Sequence, residues 1–194
     1  MSERDGGVSR TGNGAMDAGW LVGVRREPSP NFDARPDGES PWLLVVHAIS
    51  LPPCEFGSDD VLDLFGNRLD PKRHPYFAGI HNLRVSAHFF IRRDGEVIQL
   101  VSCDDRAWHA GASSWRGRDR CNDFSIGVEL EGCDALPFDD LQYHSLAVLG
   151  DALARHYPLR EVVGHSDIAP GRKTDPGPCF DWSRFVVPGL TRNA

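Results

Sequence analysis

The 194-residue chain is 40% apolar and 25% charged, with a formal net charge of −7, a balance that suits one soluble globular domain with a full core and leaves too little chain for two. No stretch approaches the roughly 20 apolar residues of a membrane span. No Lys/Arg-rich stripe is present to meet phosphate, which argues against nucleic acid or an anionic membrane surface as partner.

In chain order, residues 1–18 are rich in Gly, Ser, Arg and Asp and nearly free of large apolar side chains. They are expected to form a disordered extension, with 19–194 as the folded domain. No apolar segment follows Met1-Ser-Glu-Arg-Asp-Gly-Gly, so the expectation is a protein without an export signal, working in the cytoplasm. Trp42-Leu-Leu-Val-Val-His47 is a continuously apolar, β-rich run that reads as a central strand buried on both faces, with His47 at its end. Ser58-Asp-Asp-Val-Leu-Asp-Leu-Phe65 carries a capping residue, early acidic groups and apolar Val61, Leu62 and Phe65, the pattern of a short helix.

Residues 85–101 alternate around Asp94-Gly95, a hairpin signal; Ala87, Phe89 and Ile91 should share one face and His88 and Phe90 the other. Phe124-Ser-Ile-Gly-Val-Glu-Leu130 is a further strand. If Ile126, Val128 and Leu130 pack against helices, Glu129 stands on the opposite face beside a gap left by Gly127. Asp139 to His156 is the longest helix, capped by Asp139, with Leu141, Val148, Leu149 and Ala152 at helical spacing and Pro158 beyond its end. Glu161-Val-Val-Gly-His165 is a short strand, and residues 166–178 read as a loop. The sum is a mixed α/β (α+β) domain, a central sheet flanked by helices. The five cysteines, Cys54, Cys103, Cys121, Cys133 and Cys179, are odd in number and form no C-x-x-C pair, so they read as free thiols in a reducing compartment.

Three places put a polar residue near the end of an apolar strand: His47, Glu129, and the segment from His165 through Lys173 to Asp175. Imidazole and carboxylate suit zinc, and three protein ligands leave a fourth position for water, whose pKa the metal lowers toward about 7. Glu129 would then serve as proton carrier and Lys173 as partner of the charge developing on a carbonyl oxygen. The ligand spacings, 118 and 10 positions, make no local metal signature. Each residue therefore also has a plain reading: a hydrogen-bonded core histidine, an Asx turn at Asp175, a solvated loop at Arg172 and Lys173, strand-face charge at Glu129 and Glu131. His81, His109, His144 and His156 carry no chemical context, and His88 is left ambiguous.

The segments Leu44-Val-Val-His47, Arg84-Val-Ser-Ala-His-Phe89, Ala107-Trp-His-Ala-Gly111, Arg120-Cys-Asn-Asp-Phe-Ser-Ile-Gly-Val-Glu-Leu-Glu-Gly132 and Gly164-His-Ser-Asp-Ile-Ala-Pro-Gly-Arg-Lys-Thr-Asp-Pro-Gly177 closely resemble those of the AmpD-type 1,6-anhydro-N-acetylmuramoyl-L-alanine amidases. These belong to the wider amidase-2 and peptidoglycan-recognition superfamily. The resemblance runs over roughly residues 20–190 with the motifs in the family's order. It implies a mixed sheet flanked by helices, with one zinc ion held by His47, His165 and Asp175. It makes Glu129 the acid/base and Lys173 the transition-state stabiliser, and it places Arg84, Arg120 and Ala169 against the substrate, the two guanidiniums on carboxylates of the peptide stem. The family usually has Asn directly after the first zinc histidine. Here Ala48 stands in its place, which bears on substrate binding and leaves the metal untouched.

The implied reaction is hydrolysis of the amide between 1,6-anhydro-N-acetylmuramic acid and L-alanine in cell-wall recycling, by a cytoplasmic monomer acting on small muropeptides. Two other readings stay open on the residues. One is a non-catalytic muropeptide sensor, although all three ligand positions are kept. The other is a broader wall amidase acting on polymeric murein, for which the same catalytic residues would serve.

Overall fold

The computed structural model describes residues 14–193. Short strands open the chain: β1 (Met16–Asp17) and β2 (Trp20–Leu21) form an antiparallel ribbon, and β3 (Arg25–Arg26) and β4 (Phe32–Ala34) follow. Then come β5 (Leu43–Ile49), α1 (Asp60–Phe65), β6 (Phe89–Ile91), β7 (Val97–Gln99), β8 (Asp105–Ala107), β9 (Ser114–Trp115) and β10 (Arg118–Asp119). The chain ends with β11 (Ser125–Glu131), α2 (Asp140–His156), β12 (Glu161–Gly164), α3 (His165–Ile168) and β13 (Thr191–Arg192). Seven of the strands form one mixed sheet in the order β13-β12-β5-β11-β6-β7-β3, antiparallel only between β6 and β7.

Alternation along β5 and β11 divides the sheet's two faces. Leu44, Val46, Ile126, Val128 and Leu130 pack with Leu146, Leu149 and Leu153 of α2. On the other face, Val61, Leu62, Leu64 and Phe65 of α1 join Phe90 and Ile98, while Leu43 and Val45 sit with Trp42, Phe124 and Val163. Truncating a wholly buried ring such as Phe89 in this frame costs about 3–5 kcal/mol. The hydrophobic material thus forms a rigid floor. The C-terminal ends of three adjacent parallel strands, β12, β5 and β11, open above it, where α/β sheets place their ligand crevices.

The mixed α/β reading and the β5, β11, hairpin and α2 assignments hold, with four differences. Helix α2 buries Gln142, Tyr143, Leu146, Leu149 and Ala152, whereas Leu141 and Val148 are exposed. Those two flank the buried stripe, and a count of apolar positions cannot tell flank from centre. Ala87 packs with Phe90 on the α1 side rather than with Phe89, because β6 begins only at Phe89. His47 is not terminal, since β5 runs on through Ala48 to Ile49. The short helix α3 occupies the start of what reads as loop.

Of the extension expected over 1–18, residues 1–13 lie outside the described residues, but Met16–Asp17 pair with Trp20–Leu21 in the β1–β2 ribbon. Buried Gln99 holds that ribbon by accepting from Leu21 N–H at 2.7 Å and donating to Gly19 O at 2.8 Å, and Ser102 Oγ donates to Ala18 O at 3.0 Å. Leu21 and Met16 add apolar contacts with the main core, but most of the ribbon is held through its backbone, of which composition gives no sign.

The free-thiol reading is corrected at two positions. Cys54 and Cys133 are joined in a disulfide with their Cα atoms 5.4 Å apart, across 79 positions of sequence. Cys103, Cys121 and Cys179 are free. The loops leaving β5 and β11 start from neighbouring parallel strands and emerge on the same edge, and that adjacency brings the two sulfurs together.

Candidate active site

Three elements aim side chains at one point. His47 comes from β5, His165 is the first residue of α3 just past β12, and Asp175 sits on the following loop, whose backbone returns to accept from Ser166 N–H at 2.9 Å. His47 Nδ1 and His165 Nδ1 lie 2.9 Å apart, and Asp175 Oδ2 is 3.2 Å from the first and 3.0 Å from the second. A tetrahedral ion with ligands at about 2.0–2.1 Å would set neighbouring ligand atoms about 3.3 Å apart, so the spacing fits such an ion.

The hydrogen-bond partners of the outer ring nitrogens reinforce that fit. His165 Nε2 lies 3.2 Å from Ala110 O, a pure acceptor, so its proton sits there and its Nδ1 is a bare lone pair when the ring is neutral. Burial pulls His47 down to about 4, which keeps its ring neutral near pH 7. Two imidazole lone pairs facing a carboxylate oxygen repel one another unless a cation lies between them, and the donor set is the one zinc accepts.

Glu129 stands opposite His47 in the β5–β11 register. Its Oε2 is buried with no hydrogen-bond partner among the described residues. Burial, joined by the charge of Asp175 and opposed by Lys173, raises its carboxyl well above the ordinary range. A carboxyl so placed, with one oxygen unengaged, can exchange a proton with a group bound in the groove. The neighbouring Glu131, on the same face, is different. It accepts from Gly57 N–H at 2.6 Å and Arg93 N–H at 3.0 Å and is a structural clamp.

Glu129, His165, Asp175, Lys173 and Ala48 line one groove of about 590 Å³, a size that suits a small ligand. Arg120 and Ala169 line a second hollow of about 550 Å³, and Arg172 borders both. Arg84 is exposed and stands outside the groove's lining, between Leu83 and Val85, which belong to it. His88 is a satisfied core residue. Its Nδ1 accepts from Gly127 N–H at 3.0 Å, and its Nε2 lies 3.2 Å from Asp105 O and 3.1 Å from Arg35 Nη2.

Sequence reasoning gave His109 no role, yet its ring touches His47, with Nδ1 2.9 Å from His47 Nε2. Two signals were available: its place in the Ala107–Gly111 motif, and the gap at Gly127, which this ring fills. A Cβ on Gly127 would come within 2.4 Å of His109 Cγ. Gly127→Ala is therefore expected to destabilise the protein by about 1–3 kcal/mol through overpacking. Urea unfolding reads this directly, and an unchanged midpoint would show that the ring is free to move aside.

Fold and site together define an α/β protein whose groove brings together two histidines and an aspartate able to hold a metal ion, beside a buried carboxyl. The profile of the N-acetylmuramoyl-L-alanine amidase family, Amidase_2, matches residues 37–178. The chain is 60% identical over 172 residues to the 1,6-anhydro-N-acetylmuramyl-L-alanine amidase AmpD of Citrobacter freundii, covering 88% of this chain and 92% of that protein. A crystal structure of a selenomethionine AmpD derivative matches with a TM-score of 0.86 at 60% identity, covering 88% and 97%. Escherichia coli AmiD, solved with the substrate anhydro-N-acetylmuramic acid-L-Ala-D-γ-Glu-L-Lys, matches with a TM-score of 0.55 at 31% identity, covering 78% and 59%. The chain belongs to the N-acetylmuramoyl-L-alanine amidase family and, within it, to the AmpD type.

Proposed function

We propose that this chain hydrolyses the amide bond between 1,6-anhydro-N-acetylmuramic acid and the L-alanine of a stem peptide, with one zinc ion, in the recycling of cell-wall fragments. The observation that carries the reading is the convergence of His47 Nδ1, His165 Nδ1 and Asp175 Oδ2, with Glu129 on the adjacent strand of the same groove. The 60% identity to AmpD and the anhydromuropeptide bound to AmiD support the bond and the substrate class.

His47, His165 and Asp175 hold the ion, which supplies Lewis-acid polarisation and a lowered pKa for water. Glu129 takes the proton of the attacking water and delivers it to the departing alanine nitrogen. Lys173, on the groove wall, faces the negative charge that develops on the carbonyl oxygen. Arg120 and Ala169, in the adjoining hollow, and Arg84 at the rim receive the peptide, the guanidiniums pairing with its carboxylates. One chain provides every one of these groups, so a monomer is sufficient.

Ala48 leaves the groove wall without the amide that the family usually places there. Ala48→Asn is expected to raise kcat/KM on anhydromuropeptide by up to about tenfold, the worth of one good hydrogen bond. Steady-state kinetics decide it, and an unchanged value would mean the bound substrate makes no use of position 48.

No helix among the described residues is long and apolar enough to cross a membrane. The cytoplasm is the compartment that suits recycling of small fragments, and it would reduce the Cys54–Cys133 bridge. Alkylation of protein taken directly from cells tests this: five labelled thiols support a reducing compartment, and three with 54 and 133 protected argue for export.

The reaction itself is tested by mass spectrometry of products from the zinc-loaded protein with 1,6-anhydroMurNAc-tripeptide, UDP-MurNAc-pentapeptide and intact murein. Release of tripeptide from the first substrate alone, abolished by a chelator, is the expected result. Cleavage of murein as well would make it a general wall amidase, and binding of muropeptide without cleavage would make it a sensor.

A further inference from the structure

We propose that His109 is a positioning residue that holds the His47 imidazole in the one tautomer able to ligate a metal, through a hydrogen-bond chain that ends on the Cys121 carbonyl. The inference rests on the zinc reading above. The direction of the chain follows from its far end. Cys121 O can only accept, so Ser125 spends its single hydroxyl proton there, at 2.6 Å. Ser125 Oγ then accepts from His109 Nε2–H at 3.1 Å. A neutral His109 with its proton on Nε2 has a bare Nδ1, which accepts from His47 Nε2–H at 2.9 Å. With its own proton committed there, His47 presents a bare Nδ1 to His165 and Asp175.

The same stretch of backbone serves the other histidine. Ala110 O accepts from His165 Nε2–H at 3.2 Å and from Arg172 at 2.7 Å. The side chain of Asn122 pins the stretch in turn, its Oδ1 accepting from His109 N–H at 3.1 Å and Ala110 N–H at 2.8 Å. Residues 109 and 110 thus settle which nitrogen carries the proton on both imidazole ligands. Gly127 supplies the space for the His109 ring. Partners that orient metal-bound histidines typically contribute 10- to 100-fold in metal affinity.

The decisive variant is His109→Phe in the full chain, which fills the space and offers His47 no acceptor. Its zinc dissociation constant, measured by competition with a chromophoric chelator, is expected to weaken by about 10- to 100-fold. ¹⁵N NMR of the histidine-labelled, metal-free protein is expected to show His47 changing from the Nε2–H tautomer to a mixture. His109→Asn, whose amide oxygen takes the place of Nδ1, should recover most of the affinity. Unchanged zinc affinity and an unchanged His47 tautomer in a folded His109→Phe protein would overturn the proposal. Should that variant fail to fold, Ser125→Ala carries the test. A few-fold loss of zinc affinity with a mixed His109 tautomer supports the chain, and no change in either overturns it. Failure of the wild-type protein to bind zinc at all would instead overturn the metal reading on which this rests.

Discussion

Glu129→Gln is expected to retain zinc at the wild-type stoichiometry and lose about 10²- to 10⁴-fold in turnover, the range that a positioned acid/base contributes. In barrier height that is about 3–5 kcal/mol. The glutamine matches the carboxyl in shape, so no cavity opens beside β5 and the ligands keep their places. What disappears is the ability to take a proton from water and return it to nitrogen. The site is set up for this loss to matter: Glu129 Oε2 has no partner among the described residues, whereas the carboxylate oxygens of Glu131 are both engaged by backbone N–H groups. Glu131→Gln is therefore a useful contrast, expected to lower stability by about 1–3 kcal/mol with little effect on the chemical step. Metal analysis together with single-turnover product formation checks both variants. A Glu129→Gln rate within tenfold of wild type would move the proton transfer to another group.

The frame was legible in the chain because alternation survives burial. Ile126, Val128 and Leu130 point at α2, and Glu129 at the opposite face beside the Gly127 gap, as the period of two requires. The candidate metal ligands stand out as residues ending apolar strands, but it is the family's motifs that join them into one set. Separations of 118 and 10 positions become a cluster only when β5 and β12 pair, and pairing is a property of the whole sheet. His109 was missed for the same reason. Its meaning depends on Asn122 fastening its backbone so that the ring lies over Gly127, three segments that no window of sequence holds together. The disulfide escaped because Cys54 and Cys133 follow different strands, and the β1–β2 ribbon because Gln99 holds it by its backbone.

Asp175→Ala should separate metal binding from folding. Asp175 carries the only formal negative charge among the three candidate ligand atoms, so its loss leaves two neutral imidazoles and no neutralising charge for a divalent ion. With apparent zinc binding energies of about 10–16 kcal/mol shared among a few ligands, one ligand is worth several kcal/mol, on the order of a 10³-fold loss of affinity. The sheet and α2 owe their packing to Leu44, Val46, Ile126, Val128 and Leu146, in a buried cluster to which no residue of 166–178 belongs, so the metal-free variant is expected to fold. Zinc present at about 1,000 times the dissociation constant stabilises a one-site protein by about 4 kcal/mol, a rise of about 8–16 °C for a chain of this size. Wild-type protein should show that rise, and Asp175→Ala should show almost none at the same zinc concentration. An equal rise in both would place the ion elsewhere and leave the His47–His165 pair as a core contact. A rise in neither would remove the metal from the reaction, and Glu129 and Lys173 would then have to act on water without it.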